Sequence, residues 1–196
     1  MSIAETSSRA ADTAVRLLPA LAERWSPRSF EPSASVDETK LTAALEAARW
    51  SPSANNSQPW RFVVARRGTP AFASIVENLM SFNKVWAGSA AVLIVALAEV
   101  VTADGKDQHF ARYDLGQAVA HLSIQAHHDG LHVHQMGGFE GEGLRAAFDL
   151  DDRFLPLSVT ALGVLGDPDA LPDGLREREL APRSRTALED LLVVNA

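Results

Sequence analysis

The sequence predicts a mixed α/β domain built on a single sheet, on three observations. Ala90 to Ala98 is an unbroken apolar run. It is too apolar for a half-exposed strand and reads as a central one covered on both faces. Leu115, Ala118, Val119, Leu122 and Ala126 fall at i, i+3, i+4, i+7 and i+11, the stripe of a long amphipathic helix. Strand and helix signals alternate only irregularly, which argues against a repeating βαβ design. With 196 residues, 46% apolar and 22% charged, the chain suits one domain that buries its core without staples. The expected division is an N-terminal arm over residues 1–20, mobile at least through residue 10, and one domain over 21–196.

The elements follow in order. Ala11, Ala14, Val15, Leu18 and Leu21 recur at helical spacing over 11–23, although Pro19 argues against one regular helix there. RWSPRSFEPSAS, residues 24–35, is rich in Pro and Ser and reads as loop. Ser35 with Glu38 forms a candidate capping box for a helix burying Leu41, Ala44, Leu45 and Ala48 and stopped by Pro52. The polar loop Trp50 to Trp60 leads to a β-branched and aromatic strand at Arg61 to Ala65. Thr69-Pro70 starts a helix expected to reach about Met80, with Pro where its missing N–H is harmless. The long helix covers about Gln108 to Asp129 and stops at Gly130. LHVHQ (131–135) is a short strand, GGFEGEG (137–143) a glycine-rich turn, Leu144 to Phe148 a short helix and Leu157 to Leu165 another strand. Residues 166–174 read as loop, and the chain ends in the apolar LLVV at 191–194.

Composition excludes several functions. Cysteine is absent, so there is no disulfide framework, thiol nucleophile, iron–sulfur cluster or cysteine zinc site. Lys and Arg number 18 against 25 Asp and Glu, for a formal charge of −7. Such a chain lacks the positive field of a general nucleic-acid binder, and any anion it holds needs a local cluster of cations. Ala90 to Ala98 is far short of the roughly 20 residues that span a bilayer, and the N-terminus carries no apolar export segment. The expectation is a cytoplasmic protein with no membrane and no nucleic-acid partner.

The usual nucleotide signatures, GxGxxG and GxxxxGK[ST], are absent, as is the GxSxG elbow. His127, His128, His132 and His134 cluster in eight residues, and His132 and His134 share one strand face, a conceivable metal pair. The plainer reading is a helix end and a strand with histidines capping carbonyls or facing solvent. Arg24 and Arg28 in RWSPRSF, and Arg183 and Arg185 in PRSR, are candidate anion cradles, because guanidinium forks bind phosphate bidentately and serine hydroxyls add donors. The alternative for them is a solvated surface with ion pairs, such as Arg28 with Glu31.

RWSPRSF followed by WSPSANNSQPWRF resembles the flavin-binding segments of the nitroreductase family. YDLGQAVAHLSIQAHHDGLHV is similar to that family's long central helix and the turn after it, LSVTALGVLGDP to its late strand, and PRSRTALEDLL to its C-terminal basic pair. The resemblance implies an α+β fold, a central, mainly antiparallel sheet flanked by helices, in an intertwined homodimer. It implies FMN, with NAD(P)H as co-substrate and a nitroaromatic, quinone or enone as acceptor. It implies Arg24, Arg183 and Arg185 at the FMN phosphate, Ser26 near the ribityl and phosphate beside Trp25, and Arg28 at the N1/O2 edge of the ring. Pro52, Ser53, Ala54 and Asn56 match the loop that reaches FMN from the partner subunit. Asn83 or Lys84 matches a polar ring contact, and Gln135, Met136, Gly137 and Gly138 match the segment along the flavin. Gln135 and Met136 depart from the family pattern there. The rivals are a flavin-storing protein, a dehydrogenase or dehalogenase branch of the same fold, and a histidine metal module.

Overall fold

The computed structural model describes residues 9–195. Its centre is a four-stranded antiparallel sheet in the order β1-β2-β4-β3. The strands are β1 (Trp60–Arg66), β2 (Val92–Glu99), β3 (His132–Met136) and β4 (Phe154–Gly163). The antiparallel sheet with helices on both faces is an α+β architecture, as the resemblance implies.

β2 is buried at every position, and alternation assigns its side chains to two cores. Val92, Ile94, Ala96 and Ala98 face α2 (Glu38–Arg49) and α5 (Ala111–His128), where Leu41, Ala44, Leu115, Ala118 and Leu122 meet them. Leu93, Val95 and Leu97 face α3 (Pro70–Glu77), α4 (Ser81–Ala87) and α6 (Gly141–Ala147), packing with Phe72, Ile75, Trp86 and Leu144. Helices on both faces explain why the run lacks polar alternation.

Several elements differ from the sequence expectation for physical reasons. The first helix, α1, is only Pro19–Glu23. Pro19 forces Leu18 into an extended conformation, ψ 137°, so nothing helical precedes it. Residues 1–8 of the expected mobile arm lie outside the described residues. Within the arm, Arg9 donates to the Ala181 carbonyl at 2.8 Å and Ala11 N–H to the Ala22 carbonyl at 2.7 Å. The N-cap of α2 is Asp37, whose carboxylate accepts from Thr39 and Lys40 N–H, and not Ser35. The helix expected to reach Met80 stops at Glu77; Leu79 then pairs with Phe139 in an isolated bridge, and a further helix, α4, follows from Ser81. α6 begins inside the expected glycine-rich turn, and α7 (Asp173–Leu180) occupies a stretch with no helical signal. Gly130, at φ 80°, ends α5 as expected.

Candidate anion-binding site

The segment Arg24 to Ser29 crosses the sheet edge beside β3 and is fastened from three sides. His134 on β3 donates from Nδ1 to the Pro27 carbonyl at 2.9 Å. Ser29 Oγ donates to the Asp167 carbonyl at 2.6 Å. Glu179 on α7 is buried, and its carboxylate accepts the Arg28 N–H at 3.0 and 3.1 Å and the Ser29 N–H at 3.3 Å. Arg183 donates to the Arg9 and Ala22 carbonyls at 2.5 and 2.8 Å, which draws the C-terminal segment onto the N-terminal one.

The result is a cleft of about 190 Å³ lined by Arg9, Arg24, Arg28, Arg178, Arg183 and Arg185, with Trp25 and Ser26. None of these six guanidiniums forms an ion pair among the described residues, although Arg49, Arg61, Arg66, Arg145, Arg153 and Arg176 all do. Arg28 does not pair with Glu31, whose carboxylate is taken by Ser33 N–H and Oγ. Burial holds Arg24 below the usual arginine range, with Arg185 adding repulsion; burial does the same to Arg183, with Arg185, Arg24 and Arg9 adding to it. Nε of Arg24 and of Arg9 are buried with no acceptor. Crowded cations with orphaned donors on an acidic chain fit an anion such as a phosphomonoester. Arg9 lies over the Trp25 ring at 3.9 Å. Arg9 and Arg178 are the residues that sequence reasoning missed; neither stands in a motif, and only the fold brings them here.

Other sequence-assigned residues lie around this cleft or away from it. Asn83 on α4 is buried and donates from Nδ2 to the Gly138 carbonyl at 3.0 Å, while Met80 N–H donates to the same oxygen. A Cβ on Gly138 would stand 2.6 Å from Phe82 Cζ and 2.9 Å from Asn83 Nδ2, so the backbone approach there requires glycine. Lys84 is exposed and faces instead a separate cavity with Phe30 and Trp86. Gln135 donates from Nε2 to Ser123 Oγ at 2.8 Å, Met136 packs in the core, and Gly137 is exposed. His134 is stacked on Trp86 with its pKa lowered to about 4, chiefly by burial. His132, beside His127, is likewise lowered to about 4 by burial and by His127. His134 is engaged at Nδ1 by the Pro27 carbonyl, whereas His132 Nδ1 is buried with no hydrogen-bond partner; no group of three or more potential metal ligands exists among the described residues.

The loop of Pro52, Ser53, Ala54 and Asn56 lies elsewhere. Ser51 Oγ meets His121 Nδ1 at 2.6 Å, and Ala54 N–H donates to the buried Asp114 carboxylate at 3.1 Å. Asn55, Asn56 and Gln58 all have positive φ, from 48° to 55°. Asp114 is in the first turn of α5, whereas His127, which feels the charges of Arg24 and Arg183, is in the last. At 1.5 Å per residue these two lie about 20 Å apart, and none of Pro52, Ser53, Ala54 and Asn56 lines the arginine cleft.

An α+β sheet protein with an arginine-lined cleft whose charge suits an anion is the class that fold and site define. The chain belongs to the nitroreductase family, whose model matches residues 21–164. It is 37% identical over 141 residues to the uncharacterized 15.4 kDa protein in the ask 5′ region of Mycolicibacterium smegmatis, covering 67% of this chain and 92% of that one. It is 24% identical over 181 residues to the Bacillus subtilis protein named "Putative NAD(P)H nitroreductase YdgI", covering 74% and 86%. Among solved structures it superposes on an oxidoreductase containing FMN with a TM-score of 0.86 and 36% identity over 92% of both chains.

Proposed function

We propose that the protein is an FMN-dependent oxidoreductase that takes electrons from NAD(P)H and passes them to an organic acceptor of nitroaromatic, quinone or enone type. The observation that carries this reading is the cleft of six arginines without a carboxylate partner. The family membership and the FMN of the 36% identical structural relative support it, and the name of the Bacillus protein supports the nicotinamide donor. Bound FMN would supply the redox chemistry, accepting hydride at N5 and releasing two electrons to the acceptor.

The chain's part is position and electrostatics. Arg24, Arg183 and Arg185 bind the phosphate, with Ser26 and Trp25 at its rim. Arg28, whose guanidinium forms no ion pair among the described residues, would set its charge at the N1/O2 edge of the ring. Asn83 fixes the Gly138 carbonyl and so the line of Gln135, Met136, Gly137 and Gly138, which offers backbone groups along the ring. No side-chain nucleophile is needed, in keeping with a chain free of cysteine. Donor and acceptor use one place in turn, a ping-pong order.

The functional unit of this reading is a cytoplasmic homodimer, one chain lending Pro52, Ser53, Ala54 and Asn56 to the other's cleft. The exposed Trp50, Phe110 and Tyr113 supply an apolar surface for that contact. The test is to load the protein with FMN and follow NADH and NADPH oxidation against a panel of acceptors. Parallel initial-rate lines are expected, with a light-scattering mass near twice 21.1 kDa. Intersecting lines refute the shared place, and FMN held without turnover favours the flavin-storing reading.

A further inference from the structure

The cleft holds more positive charge than one flavin phosphate uses. A phosphomonoester has three terminal oxygens and hence three O–P–O edges, each able to take one guanidinium fork. Arg24, Arg183 and Arg185 fill those edges, and Arg28 is committed to the ring. Arg9 and Arg178 are left over. Arg178 is exposed on α7 with no hydrogen bond or carboxylate partner among the described residues, while Arg176, two residues earlier on the same helix, is paired with Asp169 at 2.5 Å. Arg9 makes one side-chain hydrogen bond, to the Ala181 carbonyl, and its Nε is buried without an acceptor. Neither residue stands in one of the motifs that carry the family resemblance, so the flavin reading leaves both unassigned.

We propose that Arg9 and Arg178 form a second phosphate subsite that takes the 2′-phosphate of NADPH, making NADPH the preferred donor over NADH. This rests on the flavin reading and adds the identity of the donor to it. A 2′-phosphomonoester carries close to two charges at neutral pH and presents three oxygens, whereas the pyrophosphate common to both dinucleotides carries one charge per phosphorus. The fork of Arg178 and the N–H groups that Arg9 does not give to Ala181 match the former, and NADH lacks it. Arg9 is steadied for the purpose by its stacking on Trp25, and Arg178 reaches the same cleft from the opposite chain end.

The test uses the FMN-loaded protein, its loading read from the flavin absorption band. Calorimetric titration compares adenosine 2′,5′-bisphosphate with adenosine 5′-monophosphate. The bisphosphate is expected to bind at least about tenfold tighter, the size of one charged hydrogen bond. Arg178→Ala should erase that ratio, Arg178→Lys should restore part of it, and the ratio of kcat/KM for NADPH to that for NADH should collapse in step. Equal affinities in the wild type, or a preference that survives both Arg178→Ala and Arg9→Ala, overturns the subsite and leaves the flavin reading standing. Bisphosphate that binds only by displacing FMN also overturns it, since the anion would then be using the flavin cradle. A protein that takes up no FMN refutes both.

Discussion

Removing the Glu179 carboxylate should unfasten the arginine cleft. Glu179 is the only residue of α7 that is fully buried, at 2% exposure, so this polar helix is docked by one carboxylate together with Leu175, which packs partly buried against the core. That carboxylate accepts the Arg28 N–H on both oxygens and the Ser29 N–H on one. A hydrogen bond to a charged group is worth about 1.5–3 kcal/mol, and a buried donor left without its acceptor costs its desolvation besides. Two N–H groups are at stake, so Glu179→Ala should lower the unfolding free energy by about 3 kcal/mol or more. Glu179→Gln keeps one acceptor oxygen and should lose about half of that. The cleft should suffer with the fold, because Arg178 rides on α7 and Arg28 on the tethered loop; FMN affinity should drop about tenfold or more in the alanine variant. Urea unfolding monitored by tryptophan fluorescence gives the first quantity, and flavin titration the second. An alanine variant within about 0.5 kcal/mol of wild type would show that α7 is held by something other than Glu179.

Three further outcomes follow from the same contacts. His132 and His134 are neutral in the fold, with pKa values lowered to about 4 mainly by burial, while the unfolded chain protonates near 6.5. Their contribution is therefore complete above about pH 6.5 and is lost as pH falls toward 4; His134→Gln should flatten the fall of unfolding free energy over that window, and an unchanged slope refutes the assignment. Gly166→Ala should lower Tm by about 4 °C or more, because the new Cβ would stand 2.6 Å from the backbone carbonyl carbon of Phe30, next to the anchored loop; calorimetry checks it. Arg28→Ala should lower the midpoint potential of bound FMN by a few tens of millivolts, from the loss of about 1–3 kcal/mol of charged hydrogen bonding to the reduced ring edge; spectroelectrochemistry at full occupancy decides, and an unchanged potential removes Arg28 from the ring.

The sheet and the long helix were legible because their burial is written in periodicity. The all-apolar run at 90–98 marks the covered central strand, and the stripe at 115, 118, 119, 122 and 126 marks the core face of α5. What was missed carries no such pattern. α7, DGLREREL, has no apolar stripe and is placed by a carboxylate that meets a loop 150 residues away. α4 follows a single bridge residue, Leu79, whose partner Phe139 is remote in sequence. Local signals do not report such long-range choices. The site divides the same way. Arg24, Arg28, Arg183 and Arg185 stand in short motifs of their own, whereas Arg9 and Arg178 reach the cleft only through the Arg9–Ala181, Arg183–Arg9 and Glu179–Arg28 contacts.

The loop at 52–58 is legible as a motif, and its place in the proposed dimer follows from how it is held. Three non-glycine residues at positive φ cost on the order of 1–3 kcal/mol each, and such strain persists only where surrounding contacts impose it. Here the Gln58 N–H to Ser53 Oγ bond closes the loop on itself, Asp114 in the first turn of α5 holds the Ala54 N–H, and the preceding Ser51 meets His121 past the middle of that helix. Asn55, Asn56 and Gln58 are held in this conformation while exposed, which leaves them open to contact in the proposed dimer. None of these residues lines the arginine cleft of the same chain, and the proposed shared site would take the loop from one copy and the cleft from the other. That separation joins the dimer and the flavin in one proposal: in this arrangement, neither chain alone assembles both halves.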